Sequence, residues 1–268
     1  MQIPPIKRIR YKSRTNEFHL YCIGDIHAGT VACAEDLIKA KIKEIANDPF
    51  ALWVGMGDYG EFITPHDPRW DIGVIAPWVE QTNVAESQRK WIKKLFEPVT
   101  DKCLGLLCGN HETSIRLHNN QDVHLDLCRD LGVENLGFSC FYRLIFNLGN
   151  KAFTVDCHFE HGSGAAQTEG GKTMRLAKAM MAFDADIVAM GHLHDVKINQ
   201  IPTLRLSEGM TIKQRVKVGA ITGSWFKAYM QGAYPTYAEI KGYSPTNLGC
   251  PIFTIQPAHE YLEVSAGS

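Results

Sequence analysis

No run in the chain approaches the roughly 20 consecutive apolar residues that a membrane-spanning helix requires, so no membrane partner is expected. Charge imbalance is also lacking: 28 Lys and Arg stand against 29 Asp and Glu, a formal charge of -1 with histidine neutral. That removes any whole-chain electrostatic case for nucleic acid or lipid, and leaves only local patches to consider. Internal repeats and low-complexity segments are absent, which excludes collagen-like, coiled-coil and disordered chains. The 8 cysteines contain no CxxC spacing, so a thiolate zinc site is not expected. Cys22, Cys103, Cys108 and Cys157 lie in or beside apolar runs, where reduced cysteine packs well.

What the chain does have is an ordinary globular make-up, 45% hydrophobic and 10% aromatic over 268 residues, enough to bury a sizeable core. Its start, Met-Gln-Ile-Pro-Pro, leads into the basic residues Lys7, Arg8, Arg10, Lys12 and Arg14. A secretory signal would continue with an apolar core; here Thr15, Asn16 and Glu17 follow, and a cytoplasmic protein is expected. The basic arm reads as a solvated tail or edge-strand protection, with contact to a nucleic-acid backbone as the alternative.

Strand-like and helix-like segments alternate over the first 200 residues. Strands are predicted over 17–24, 51–57, 103–109 and 186–191, with a hairpin of 139–148 and 151–160 joined at Gly149-Asn150. Helices are predicted over 34–47, with Leu37, Ile38, Ile42 and Ile45 as the apolar stripe, over 84–96, near 120–131 with Gly132 as C-cap, and near 171–183. The remainder reads as strands at 195–206, 209–222 and 250–257, and residues 60–82 as a long loop or insertion. No linker divides the chain, so a single α/β domain is expected, with layered sheets covered by helices.

The informative pattern stands at the strand ends. Gly24-Asp25-Ile26-His27 follows the first strand, Gly57-Asp58 the second, and Gly109-Asn110-His111-Glu112 the third. His161-Gly162 follows the hairpin, and Gly191-His192-Leu193-His194 follows 186–190. Strand C-termini in an open α/β sheet meet at one crevice, and glycine permits tight turns and close backbone approach. Asp25, His27, Asp58, Asn110, His161, His192 and His194 would meet there. One divalent ion needs four to six ligands, so this set points to two. Asp58, with two oxygens and no neighbouring histidine, is the natural bridge. Mixed oxygen and nitrogen donors without thiolate suit Mn, Fe, Zn, Co or Ni.

These five blocks, in this order over residues 24–194, resemble the calcineurin-like metallophosphoesterase superfamily. The resemblance implies a four-layer α/β/β/α sandwich, two mixed β-sheets flanked by helices, around a dinuclear centre. It implies one metal on Asp25, His27, Asp58 and His194, and a second on Asp58, Asn110, His161 and His192. His111 would be a catalytic, non-ligand histidine near the leaving group, oriented by an acidic neighbour. The implied activity is hydrolysis of a phosphate ester, with the form of the third and fifth blocks leaning to phosphodiesterases and nucleases. The alternative inside the family is a phosphomonoesterase or protein phosphatase. Residues 195–268 match none of its motifs.

His158 and His161 point to opposite faces of a strand, and the strand-end position favours His161 for the centre. His118 and His124 read as lying on a solvated helix face. Residues 161–175 lack the glycine a P-loop needs five positions before Gly171, which argues against a nucleotide-binding ATPase. Lys172 and Arg175 follow soon after a ligand and are candidates for substrate phosphate. Lys213, Arg215 and Lys217 share one strand face. Trp225, Phe226, Tyr229, Tyr234, Tyr237 and Tyr243, with Lys227 and Lys241, would stack bases or form a turn-rich surface or a subunit interface. Nucleic acid is thus a candidate partner, and a metal-bound, non-catalytic interaction module is the remaining alternative.

Overall fold

The computed structural model describes residues 3–65, 67, 69–207, 209–245 and 247–267. The first half contains β1 (Ile6–Arg10), β2 (Phe18–Ile23), α1 (Glu35–Asn47), β3 (Ala51–Gly55), α2 (Val84–Phe96), β4 (Cys103–Leu107), α3 (Asn110–Asn119), α4 (Val123–Leu131) and β5 (Asn135–Gly137). The second contains β6 (Ser139–Leu148), β7 (Lys151–Glu160), α5 (Glu169–Ala182), β8 (Ile187–Met190), β9 (Val196–Leu206), β10 (Ile212–Thr222), α6 (Tyr237–Ile240), β11 (Cys250–Gln256) and β12 (Tyr261–Gly267). Two six-stranded sheets result, in the orders β1-β6-β7-β8-β10-β9 and β12-β11-β2-β3-β4-β5. Both are mixed. β2, β3 and β4 run parallel, as do β7, β8 and β10.

The layers follow from alternation along the strands. Phe18, Leu20 and Cys22 of β2 face the other sheet, where they join Leu144, Phe146, Val155, Cys157 and Phe159 in an inter-sheet core. Tyr21 and Ile23 face the opposite way and pack with Ile38, Ile42 and Ile45 of α1 and Ile92 and Phe96 of α2. Val188, Met190 and Ile221 on the outer face of the β1-β6-β7-β8-β10-β9 sheet pack under Leu176, Ala179 and Met180 of α5. The order is therefore helices, sheet, sheet, helix, the four-layer sandwich expected from the resemblance. No helix among the described residues is long and apolar enough to cross a membrane.

Local chemistry sets the element ends. α1 has Glu35 and Asp36 in its first turn, where the helix dipole favours negative charge, and stops at an extended Asp48 before Pro49. Asp122 accepts the Leu125 amide at the start of α4, and Gly132 closes it in a left-handed conformation. Lys217 of β10 donates to the carbonyls of Met180 and Phe183, closing the C-terminal end of α5. Arg215, two residues earlier, pairs with Asp186. The Lys-Arg-Lys face of β10 is thus engaged with α5 and its following loop at two of its three positions.

The basic N-terminal arm is strand β1, paired in parallel with β6 at a sheet edge, which is the edge-strand reading rather than the solvated tail. Two expectations are corrected. Leu37 is largely exposed, because the stripe of α1 that meets the sheet runs through Ile38, Lys41, Ile42 and Ile45. His124 is buried, with Nε2 3.0 Å from Asn135 Oδ1, whereas His118 is exposed. The described residues of 60–82 form the expected loop, with one short 3-10 helix at Ile72–Val74. Trp78 pins it: its ring stacks on Trp91 at 5.5 Å and 7°, and its Nε1 donates to Glu35.

His158 faces away from the crevice, as the strand alternation requires. It is buried and stacked on Phe183 at 3.5 Å, and neither ring nitrogen has a partner. Burial pushes its pKa down to about 4. Between pH 6.5 and about 4 the unfolded chain therefore binds a proton that the folded chain refuses, so stability falls as pH falls through that window. The predicted outcome is that His158→Leu loses less stability than wild type between pH 7 and pH 4.5, by about 1–2 kcal/mol. Urea midpoints at the two pH values test it, and equal losses in the two proteins would contradict it.

Candidate metal centre

The C-terminal ends of β2, β3 and β4 in one sheet, and of β7, β8 and β10 in the other, deliver their following loops to one place. The loops after β2 and β3 are zipped together: the amides of Asp25, Ile26, His27 and Ala28 donate to the carbonyls of Gly57, Asp58, Asp58 and Tyr59. From β10, the Ser224 hydroxyl and Trp225 amide both donate to the Asp25 carbonyl. Glu112 locks β3 to β4. Its carboxylate accepts the amides of Asp58, Tyr59 and Gly109 at 2.8–3.0 Å. Gly109 must be glycine, since a Cβ there would overlap Asp58.

The seven residues singled out in the sequence are brought together. Asp25, His27 and His194 present ligand atoms within 4.8 Å of one another, and so do Asp58, His161 and His192. Asp58 also groups with His27 and His111, which places it between the two clusters. Asn110 Oδ1 lies 2.9 Å from His161 Nε2. Asp25, His27, Asp58, His192 and His194 all have positive φ, from 48° to 71°. Such left-handed conformations are strained for these residues and concentrate where a site over-determines the backbone.

The donor chemistry fits a cation pair. Glu61 sits 2.7 Å from His27 Nδ1 and is ionised, with its pKa at about 2 because His111 and His27 outweigh burial. His27 Nδ1 must therefore donate, and the lone pair of Nε2 faces His194 Nε2 at 3.0 Å. His161 Nδ1 donates to the Met56 carbonyl, so its Nε2 faces Asn110 Oδ1 and Asp58 Oδ2, the latter at 3.3 Å. Asp25 Oδ1 and His192 Nδ1 are buried without a hydrogen-bond partner. Ligand-type atoms thus crowd together with fewer protons than they could share, an arrangement that divalent ions would satisfy.

Electrostatics point the same way. Burial opposes ionisation of Asp58 and Asp25, yet His161 and His111 hold Asp58 well below the usual carboxylate range, and His194 lowers Asp25. Burial opposes the His161 imidazolium, but Asp58 outweighs it and lifts the pKa to about 10. Burial and Asp58 together raise Glu112 to about 7. Among the described residues no Lys or Arg pairs with Asp25, Asp58, Glu61 or Glu112. Protons on imidazole carry the compensation, and a bound metal would displace them.

His111 stands beside the cluster. Its Nδ1 meets the Glu61 carbonyl at 2.5 Å, its ring is 4.8 Å from His27, and its amide donates to Asp58. Burial opposes its protonation, but Asp58 and Glu61 raise its pKa overall. Lys172 lines the adjoining cavity, buried, with its Nζ 3.0 Å from Asp195. Arg175 lies apart, 3.4 Å from the Ser163 hydroxyl. Glu61 and Glu112 were not identified from sequence as site residues. The only signal was position: an acid three residues after Asp58, and one directly after His111.

The chain matches no protein-family profile, and no curated protein is similar to it in sequence. Similar solved structures include a conserved uncharacterized protein of Streptococcus pneumoniae TIGR4, described as a predicted phosphoesterase. It is 13% identical with a TM-score of 0.32, over 90% of this chain and 84% of that one. Vps29 of Chaetomium thermophilum is 11% identical with a TM-score of 0.36, over 93% and 94%. GAP50 of Plasmodium, described as the anchor in the inner membrane complex, is 10% identical with a TM-score of 0.43, over 89% and 81%. These are distant likenesses of shape.

Glu61 yields a prediction. Glu61→Ala leaves the His27 Nδ1–H without its acceptor, and partners of this kind are worth about 10–100-fold in metal affinity. Mn affinity measured by competition with a chelator is expected to fall by that factor. Glu61→Gln, which keeps an acceptor oxygen, is expected to retain most of it.

Proposed function

We propose that this protein hydrolyses phosphate esters at a dinuclear metal centre, with a phosphodiester ahead of a monoester as substrate. The observation that carries the reading is the convergence of imidazole nitrogens and carboxylate oxygens at the ends of five strands, with no Lys or Arg paired to them among the described residues. Asp25, His27, Asp58 and His194 would hold one ion, and Asp58, Asn110, His161 and His192 the other. The donor set is nitrogen and oxygen only, and Mn is the ion we put first, ahead of Fe, Zn, Co and Ni.

When bound, such a pair supplies Lewis acidity to the phosphoryl oxygens and a water of lowered pKa. The chain supplies the rest. Glu61 fixes the His27 ring through Nδ1 and, through its carbonyl, that of His111. With Nδ1 occupied, His111 offers Nε2 to the substrate. Its raised pKa favours the protonated form, which stabilises negative charge at the reacting phosphoryl group or donates a proton to the leaving oxygen. Glu112 keeps the Asp58 and Asn110 loops in register and stays clear of the chemistry. The preference for a diester is supported by space: a cavity of about 370 Å³ adjoins the cluster and leaves room for a second ester arm.

Two variants separate the roles. Asp58→Ala is expected to lose metal, read by elemental analysis, and activity together. His111→Ala is expected to keep both metals and lose turnover by about 10²–10⁴-fold. Wild-type turnover in metal-loaded His111→Ala would refute the role given to that histidine. Bis-(p-nitrophenyl) phosphate is expected to be a better substrate than p-nitrophenyl phosphate with Mn present, and the reverse order would favour a phosphomonoesterase.

A further inference from the structure

The cavity beside the centre has an unusual lining. One wall is the cluster itself, including His27, Asp58, His111 and His194. The facing walls come from three segments outside the strand-end blocks, the 60–82 loop, residues 164–172 and residues 226–244. Phe226 stands at the junction, its ring 5.4 Å from His27 and 6.1 Å from His194. Tyr237 and Tyr243 meet edge to face, 6.2 Å apart at 85°. Tyr237 is 50% exposed and Ile240 65%, on the one-turn helix α6. Arg69 completes the lining from the loop side. Its Nε and Nη2 are held at 3.0 and 2.7 Å by the two oxygens of Asp67, so the guanidinium plane is fixed.

The occupant of this chamber is constrained by what it adjoins. Whatever enters must be attached to the group held at the cluster, because the chamber opens onto those ligands. At about 370 Å³ it lies at the small end of the range for compact ligands, about 300–1,000 Å³. That is room for one ring system, and too little for a duplex. Three aromatic side chains and a fixed guanidinium offer ring faces and a planar cation. A saturated chain would cover the polar tips of Arg69 and the tyrosines without using either.

Resting on the hydrolase reading above, we infer that the second ester arm of the substrate is a flat aromatic group, so that the substrate class is aryl or nucleosidyl phosphodiesters. Tyr237, Tyr243 and Phe226 are its specificity residues, and the nucleobase of a nucleotide end and a simple aryl ring are the two sources of that chemistry.

Phosphonates test this without turnover, since their carbon–phosphorus bond is not an ester. Calorimetry on the Mn-loaded protein compares methyl-, cyclohexyl- and phenylphosphonate and the 5′-phosphonate analogue of thymidine monophosphate. Phenylphosphonate is expected to bind about tenfold or more tighter than methylphosphonate from buried area. It is expected to exceed cyclohexylphosphonate by about threefold to tenfold from aromatic contact. The thymidine analogue exceeding phenylphosphonate identifies a nucleobase; the opposite order identifies a simple aryl arm. In Tyr237→Ala, and separately in Tyr243→Leu, the phenyl-to-cyclohexyl ratio is expected to collapse towards one. Tyr261→Ala, on β12 away from this cavity, is expected to leave the ratio intact. Cyclohexyl binding as well as phenyl, or a ratio unchanged in both tyrosine variants, overturns the aromatic arm and leaves the hydrolase standing. Failure of every phosphonate, methyl included, to bind protein shown to hold two metals overturns both readings.

Discussion

The structure is organised around negative charge taken out of water with, among the described residues, no Lys or Arg to meet it. Asp25, Asp58 and Glu112 are buried and Glu61 nearly so, within one crevice. Burying an unpaired carboxylate costs several kcal/mol even after relaxation. Each therefore has a defined answer. Glu112 takes three backbone amides, Glu61 takes His27, and Asp25 and Asp58 face imidazoles. That last arrangement is the least complete, because a neutral imidazole presents a lone pair as readily as a proton. On the proposed reading two positive ions would complete it, and the same incompleteness that makes the crevice expensive would favour their entry.

Such a crevice needs a stiff frame. Five of the candidate ligands hold left-handed backbone conformations, at about 1–3 kcal/mol apiece. Those conformations persist because the loops have no freedom to relax. Each leaves a strand whose side chains interlock in the inter-sheet core, and the loops then bond to one another across the sheets. Facing two sheets with parallel central strands brings loops from both to a common edge. One sheet would supply half of the ligands.

Much of this was legible in the sequence because it obeys short periods. The β6–β7 hairpin, α1, α2 and the strand-end blocks announce themselves through alternation, helical spacing and glycine. α3 did not: Asn110–Asn119 has Ile115 as its one buried apolar residue, so no stripe marks it, and its start is fixed by Glu112 capping Gly109. β1 has few apolar residues because it lies at a sheet edge. Glu61 was illegible as a site residue for a different reason. Its role is created by contact across 34 residues to His27 and 50 to His111, which no local pattern records. The direction of His158 followed from strand period two, and its unpartnered ring did not.

Glu61 also joins two tasks that the fold otherwise keeps apart. The ligand cradle is built by the ends of strands, and the cavity walls by insertions between them. An insertion that only lined the cavity could vary freely, changing which ester arm is accepted while leaving the chemistry alone. The 60–82 loop has less freedom. It supplies Arg69 to the cavity and is pinned by Trp78 against α2, and near its start Glu61 grips both His27 and His111. On the proposed function, anything that shifts this loop would also tilt the His27 ring, a candidate metal ligand, and the His111 ring, the candidate proton donor. Residues 226–244 carry a looser tie, through the Trp225 amide and Ser224 hydroxyl on the Asp25 carbonyl. If the proposed reading holds, selectivity could drift through the tyrosines of that segment at little cost to the reaction, whereas the opposite wall of the same cavity is tied to the candidate centre through Glu61.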